Sequence, residues 1–512
     1  MRIALRVDAS VRMGVGHLKR CLALADALRV TGAEPLFVMR DLGLDLAGLI
    51  QRHGDYAVRR LPAPLATCPA DGQEPLYAAW AGVSWQQDAA ETVQLLRALE
   101  CSWLLVDSYA LDARWHRRVA DELGLQVAAI DDLADRPLAV DLLIDHNLAS
   151  DHHQKYLTSL AYPCRILGGP RFALLGQAFA SAPRYRFRDE AQSIGVFLGG
   201  TDPAGLTSSV IDACRRVADF AGPIEVATTS ANPALPSLNV LCEADRNLSL
   251  CIDQPDLTSF FARHDLQIGA GGGASWERCC LGAPSITLVT ADNQLAVVPM
   301  LVAVGASAAL PKGQGPEPGA VGLLVRRLLD GTGLRRSLHE NALRLVDGRG
   351  AQRVALAITA PTLQVRAATA DDAALVHRWR NHEGTRAVSR NTSPIPWAAH
   401  QAWFDKTLAD ARRRMLIGMV GEVPVAVFRF DELADRGEVE VSLYLDPELH
   451  GLGLGAALMR AAHADWEQTV AQGEAFVATV MAGNIASQRL FQSAGYKFQS
   501  PVWRRTRAIR PS

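Results

Sequence analysis

Short apolar runs alternate with stretches of helical periodicity through residues 1–180. Ile3–Val7, Leu36–Met39, Trp103–Val106, Gln126–Ile130 and Leu142–Ile144 predict strands, and 18–30, 86–99 and 112–123 predict helices. Such alternation implies βαβ units and a parallel sheet with helices on both faces. The pattern restarts near Ser193, with strands at Ile194–Leu198, Ile224–Ala227, Val240–Cys242, Leu266–Gly269 and Ser285–Leu288, and helices at 206–218, 256–263, 276–281 and 295–303. Leu334–Val346 reads as a closing helix. The breakers Asp347-Gly348-Arg349-Gly350 and Thr359-Ala360-Pro361-Thr362 then put a domain boundary near 355–362. A third unit has strands at Leu363–Ala367, Met415–Met419, Pro424–Asp431, Glu438–Leu445 and Glu474–Met481, a helix capped by Thr369, and another over 455–467. The expected class is α/β: doubly wound parallel sheets over 1–180 and 181–355, then a smaller domain over 363–512.

Length agrees with several domains, since 512 residues exceed one ordinary core. The 52 basic and 54 acidic residues nearly cancel, which gives no bulk pull toward nucleic acid or membrane and favours a small-molecule partner. No apolar run is long enough to span a bilayer and no signal-peptide pattern opens the chain, so a cytoplasmic, soluble protein is expected. The nine cysteines are scattered over the first 280 residues without a Cys-x-x-Cys pair, which fits reduced, mostly buried thiols rather than a disulfide frame or zinc site. His152-His153 is too isolated to be a metal motif.

Candidate chemistry gathers after the strands. In parallel sheets ligands sit beyond the carboxyl ends of the strands. There the sequence puts Asp8 and Ser10, then Asp107, Ser108 and Tyr109, then Asp131 and Asp132, then Asp145, His146 and Asn147. Turns collect such residues for structural reasons too, and it is their shared edge that implies a cleft. The first turn sets Gly14, Gly16 and His17 at the head of the helix 18–30. Glycine lets backbone N–H groups approach an anion. His17 either caps the helix or carries a proton near neutral pH. In the second lobe, Gly199-Gly200-Thr201-Asp202 and Gly269-Ala270-Gly271-Gly272-Gly273-Ala274-Ser275-Trp276-Glu277-Arg278 each follow a strand. The latter is a diphosphate cradle or a tight turn. Glu277 either accepts ribose hydroxyls or complements the helix dipole, and Asn293 and Gln294 either bind a sugar or cap the next helix. Two such lobes facing one cleft make a GT-B-like architecture.

Taken in order, Arg6-Val7-Asp8-Ala9-Ser10, Gly14-Val15-Gly16-His17-Leu18-Lys19-Arg20, Val106-Asp107-Ser108-Tyr109, Leu198–Asp202, Ala227–Pro233, the 269–278 loop and Asn293-Gln294 resemble the UDP-sugar hydrolases of pseudaminic acid biosynthesis. That family cleaves UDP-2,4-diacetamido-2,4,6-trideoxy-β-L-altropyranose to UDP and free sugar. The resemblance covers residues 1–350 and implies catalytic roles for His17, as the base that activates water, and for Tyr109 and Asn293. It implies substrate or UDP contacts at Gly14, Gly16, Arg20, Asp107, Gly200, Thr201, Gly272, Ser275, Glu277 and Gln294, and no metal.

In the third unit, Leu445 ends a strand before His450-Gly451-Leu452-Gly453-Leu454-Gly455, and Asn484-Ile485-Ala486-Ser487-Gln488-Arg489-Leu490-Phe491 follows the next strand. This pair of segments resembles the GNAT acetyltransferases, whose glycine loop holds the pyrophosphate of acetyl-CoA. The resemblance implies acetyl-CoA contacts at Leu445, His450, Gly451, Gly453, Gly455, Asn484, Ser487 and Phe491. Two positions depart from the pattern: His450 stands where Arg or Gln is usual, and Phe491 where a tyrosine protonates the departing thiolate, leaving Ser487, Tyr496 or water as substitutes. Glu438 and Glu440 share a strand face. Glu440 is the proposed base, and the same alternation fits a solvated face.

Trp379-Arg380-Asn381 and His400-x-x-Trp403-Phe404 look like the branch that acetylates UDP-4-amino-4,6-dideoxy-N-acetyl-β-L-altrosamine, the step that makes the hydrolase's substrate. The expectation is a bifunctional enzyme acting on UDP-amino and UDP-diacetamido sugars. The rivals are a UDP-sugar glycosyltransferase, an acetyltransferase of protein or other amines, and a catalytically dead module.

Overall fold

A computed structural model describes residues 1–10, 13–64, 74–433, 437–469, 475–499 and 502–505. Arg2–Ala27 with Glu34–Val354 make one compact unit, and the residues from Ala355 on make the body of the other. The division falls inside the helix Gly350–Thr359.

The first unit holds two parallel sheets. The strands β1 (Arg2–Val7), β2 (Glu34–Arg40), β3 (Ala57–Leu61), β4 (Trp103–Asp107), β5 (Gln126–Ile130), β6 (Leu142–Asp145) and β7 (Arg165–Gly168) lie in the order β3-β2-β1-β4-β5-β6-β7. β1 is a continuous apolar run because it is covered on both faces: Ile3, Ala4, Leu5 and Val7 have no exposed surface. The order reverses between β1 and β4, and a crevice opens at such a switch point. Register sets Val7 beside Asp107 there.

The second sheet repeats the device. The strands β8 (Ile194–Phe197), β9 (Ile224–Thr228), β10 (Leu248–Ile252), β11 (Leu266–Ala270) and β12 (Ser285–Leu288) lie in the order β10-β9-β8-β11-β12. Its switch point lies between β8 and β11, the strands that lead into the two glycine loops. One expectation fails in this lobe. Val240–Cys242 is no strand but part of the helix Leu235–Ala244, which has a proline in its first turn, and the strand is Leu248–Ile252. A short apolar run does not separate strand from helix, and a proline at the helix start is the signal that does.

In the second unit, β13 (Gln364–Ala367), β14 (Arg413–Val420), β15 (Val423–Leu433), β16 (Glu438–Leu445), β17 (Ala475–Thr479), β18 (Lys497–Gln499) and β19 (Val502–Arg505) form one sheet in the order β13-β14-β15-β16-β17-β19-β18. β16 pairs along its whole length with β15, but parallel with β17 only over Glu438–Glu440. Beyond Glu440 the pairing stops, although β16 runs on to Leu445 and β17 to Thr479, which is the splay between them. Thr369 and Asp372 form a capping box before the helix Ala373–Asn381.

Cys21, Cys214, Cys251, Cys279 and Cys280 are buried, Cys101, Cys164 and Cys242 are half-buried, and all eight are free thiols. Cys68 lies outside the described residues. No helix among the described residues is long and apolar enough to cross a membrane.

Candidate functional site

Helix Gly16–Val30 follows β1 through a turn in which Gly14 adopts φ +73° and donates to Ser10 O at 2.8 Å. This left-handed turn sets His17 in the first helical turn, above the end of β4. His17 Nδ1 lies 2.6 Å from Asp107 Oδ1, and Arg20 holds the same carboxylate through Nε at 2.6 Å and Nη2 at 2.5 Å. Burial alone would raise the Asp107 carboxyl, but Arg20 and His17 outweigh it and hold it well below the usual carboxylate range. An ionised carboxylate only accepts, so Nδ1 carries a hydrogen, and the lone pair of the neutral imidazole is the one on Nε2. Asp107, expected among the substrate or UDP contacts, is the partner that orients His17 and Arg20.

Beneath this pair lies a buried charge network. Arg6 bonds Asp8 at 2.6 Å and Asp88 at 2.7 Å, while Arg40 bonds Asp88 at 2.8 Å and Trp115 Nε1 donates to Asp88 at 2.9 Å. It pins the ends of β1 and β2 so that the first turn leaves the sheet at a fixed point.

Tyr109 meets His17 edge to face, ring centroids 4.9 Å apart, and its hydroxyl donates to Asp132 at 2.5 Å. Asp132 also accepts from Asn147 Nδ2 at 2.9 Å, and Asn147 Oδ1 accepts from Trp276 Nε1 of the second lobe at 3.1 Å. A hydrogen-bonded chain thus runs from Tyr109 to the helix that follows the second glycine loop. Tyr77 and Trp80 complete an aromatic group with Tyr109, at centroid distances of 5.6 and 6.1 Å. The sequence reading missed both, because they lie on a short turn without periodicity.

His146 is a second histidine at this edge. Burial and then Arg20 push its imidazole down to about 4, against Asp132 and Asp107, and its Nδ1 has no partner. It is therefore neutral at pH 7.

Across the cleft, the loop after β11 opens the helix Ala274–Leu281, with Glu277 half-buried in its first turn. Burial pushes the Glu277 carboxyl up, against the pull of Lys19 from the first lobe and of Arg278. Gly272 lies at the loop's exposed rim, whereas Ser275 is buried, its hydroxyl bonded to Ala270 O at 3.3 Å and Arg278 Nη2 at 3.1 Å. Gln294 Oε1 accepts from Thr290 N at 2.9 Å and Gly271 N at 3.1 Å, which ties the 289–294 loop to the glycine loop. Ser275 and Gln294, expected among the UDP or substrate contacts, thus brace the glycine loop and tie the two loops together, respectively. Asn293 beside them is exposed. Gly200 O is fixed by Thr229 N at 3.0 Å and Thr229 Oγ1 at 2.8 Å, and Thr201 is exposed at the same switch point.

The second unit has a separate constellation. Gly451 and Gly453 have φ +83° and +80°, conformations that favour glycine, and they lead into the helix Leu454–Thr469. His450 is exposed beside them, and Leu445 ends β16 at the splay. Gly455 packs against Leu490: a Cβ there would lie 3.1 Å from it. Asn484 caps the helix Ile485–Ser493 by accepting from Ser487 N at 3.0 Å. Phe491 is buried against Tyr496, ring centroids 5.0 Å apart. Tyr496, considered as an acid, is buried too and its hydroxyl bonds His463 Nε2 at 2.9 Å. Glu440 is half-buried, accepts from Thr479 Oγ1 at 3.1 Å and has Arg390 at 3.6 Å. On the neighbouring strand Asp431 pairs with Arg429 at 2.7 Å, and Arg429 lies over the Trp403 ring. A glycine loop at a helix start beside splayed parallel strands fits the diphosphate and the extended arm of acetyl-CoA.

Residues 362–497 match the family model of the acetyltransferase (GNAT) domain. The L-methionine sulfoximine/L-methionine sulfone acetyltransferase of Pseudomonas paraeruginosa is 30% identical over 144 residues, 27% of this chain and 80% of that protein. The C-terminal region belongs to the GNAT acetyltransferases. The N-terminal part is similar to the spore coat polysaccharide biosynthesis protein SpsG of Bacillus subtilis, 29% identical over 192 residues, 37% of this chain and 57% of SpsG. It is also similar to the UDP-2,4-diacetamido-2,4,6-trideoxy-β-L-altropyranose hydrolase of Campylobacter jejuni, 24% identical over 260 residues, 50% of this chain and 80% of the relative. The chain thus spans somewhat over half the length of SpsG. It joins a nucleotide-sugar-hydrolase-like region to a GNAT domain.

Proposed function

We propose that this chain catalyses two successive steps on one nucleotide sugar. The GNAT domain N-acetylates UDP-4-amino-4,6-dideoxy-N-acetyl-β-L-altrosamine, and the N-terminal unit hydrolyses the product, UDP-2,4-diacetamido-2,4,6-trideoxy-β-L-altropyranose, to UDP and free sugar. The observation that carries the second step is His17, held through Nδ1 by an ionised Asp107 opposite a glycine loop that opens a helix. Water attacks the anomeric carbon, its proton passes to His17 Nε2, and the bond to the phosphate oxygen breaks with its electron pair leaving on UDP. Asp107 stabilises the imidazolium that forms. The loop after β11 receives the diphosphate, Glu277 the ribose, and Asn293 with the Tyr77, Trp80 and Tyr109 rings the sugar.

For the first step, acetyl-CoA supplies the thioester. The residues that hold it are Leu445, Gly451, Gly453 and the start of the helix Leu454–Thr469, with Asn484 and Ser487 at the facing helix. Glu440 takes a proton from the ammonium, directly or through water, so that the free amine attacks. The thiolate leaves without a tyrosine acid.

A second reading of the acetyl acceptor, a small amino acid, is favoured by the relative named for methionine sulfoximine. Incubating the full chain with acetyl-CoA and either acceptor separates the two. Acetylation of the amino-sugar nucleotide alone supports the proposal, and acetylation of methionine sulfoximine alone overturns its first step.

A further inference from the structure

Among the described residues, Arg278 is a buried arginine that has no ion pair and leaves two of its guanidinium nitrogens without a partner. Arg6 and Arg40 have Asp88, Arg20 has Asp107, and Arg136 has Asp131. Buried Arg335 has no carboxylate partner among the described residues and donates to the carbonyls of Leu328, Leu329 and Asp189. Arg278 is 1% exposed, and among the described residues it has no ion pair. Its Nη2 donates to Ala270 O at 2.9 Å, Ser275 Oγ at 3.1 Å and Thr287 Oγ1 at 3.2 Å, while Nε and Nη1 have no partner. The guanidinium presses on the backbone of β11: a Cβ at Gly269 would lie 2.2 Å from Nη1. A cation buried without an anion is costly to folding.

The loop in front of Arg278 is also unfinished. Gly271 N–H is used by Leu288 O at 3.0 Å and Gln294 Oε1 at 3.1 Å, and the N–H groups of Ser275 and Trp276 turn back to Gly272 O and Gly273 O. Those of Gly272, Gly273 and Ala274 have no acceptor among the described residues. Three free donors thus open the helix whose last turn carries Arg278, and its Nη2 reaches back to that opening at Ala270 O and Ser275 Oγ.

We propose that Arg278 is a positioning residue for the diphosphate of a nucleoside-diphosphate ligand. Its charge finds its counter-ion in that diphosphate, and its grip on Ala270 O and Ser275 Oγ holds the loop that presents the three N–H groups. The inference rests on the UDP-sugar reading of this cleft. It accounts for Gly269, where no side chain fits beside the guanidinium.

The test is calorimetric titration of the full chain with UDP and, separately, with uridine, for the wild type, Arg278→Met and Arg278→Lys, each checked for folding by thermal melting. Met keeps the bulk and removes the charge. UDP affinity is expected to fall by about 10- to 100-fold in Arg278→Met, with uridine affinity changed by less than about threefold. Arg278→Lys restores most of the UDP affinity. Equal losses for UDP and uridine in either variant, as a merely structural role requires, overturn the proposal, as does unchanged UDP affinity in Arg278→Met. Should Arg278→Met not fold, Arg278→Gln takes its place and is read by the same rule: a loss of UDP affinity larger than that of uridine supports the role, and an equal loss or no loss refutes it. A wild type that binds neither ligand overturns the UDP-sugar reading and this inference with it; a wild type that binds UDP without selective loss in the variants overturns the role of Arg278 alone.

Discussion

The two sites hold their chemistry by opposite means. In the N-terminal unit, side chains fix side chains: Asp107 orients His17 and Arg20, and the Arg6–Asp88–Arg40 network fixes the strands beneath them. In the GNAT unit the candidate site is backbone, two left-handed glycines and a helix start. An exposed His450 and a buried Phe491 stand at positions where the family has other residues. A side-chain site is fragile to polar substitution at its partners, and a backbone site to anything that changes a glycine.

The comparison breaks most sharply at its centres. His17→Ala is expected to lower UDP release by about 1,000-fold, the range of a lost general base, while acetyl-CoA consumption stays within twofold of wild type. Product chromatography on both half-reactions reads this, and joint loss in a folded variant contradicts two separate sites. Gly453→Glu is expected to do the reverse. It strains a residue at φ +80° and sets a negative charge where the CoA phosphates bind, which raises KM for acetyl-CoA by about 100-fold and leaves UDP release intact.

Asp107→Asn sharpens the account of the first site. The amide donates to His17 Nδ1, which moves the imidazole hydrogen to Nε2 and removes the lone pair that accepts the water proton. About a 100-fold fall in kcat with little change in KM is expected; an equal rise in KM instead points to direct substrate contact by Asp107. Asn484→Ala is the smallest effect. Loss of the cap on the helix Ile485–Ser493 is expected to cost about 1 kcal/mol, a fall of a few degrees in the GNAT melting transition, with acetyl transfer otherwise retained.

Much of this was legible in the sequence. The strands that end at the switch points are strongly apolar because they are covered on both faces, and the glycine turns follow them directly. β10 was not, because Leu248–Ile252 is partly exposed and the better apolar run, Val240–Cys242, belongs to a helix. The site residues were legible as types at strand ends, but not in their division of labour. Asp107, Ser275 and Gln294 read as ligand contacts until their side-chain partners are known, remote in sequence for Asp107 and within one loop and turn for Ser275. Tyr77 and Trp80 acquire meaning only from Tyr109 beside them, and no local pattern encodes that.

The central claim, two steps in sequence on one nucleotide sugar, is tested most directly by a mass-spectrometric time course. Purified full-length chain is incubated with UDP-4-amino-4,6-dideoxy-N-acetyl-β-L-altrosamine, with and without acetyl-CoA. The account predicts free diacetamido sugar and UDP only when acetyl-CoA is present, with the acetylated UDP-sugar appearing first. Acetylated UDP-sugar that accumulates without release of UDP contradicts the hydrolase reading and returns the N-terminal unit to sugar transfer onto an acceptor.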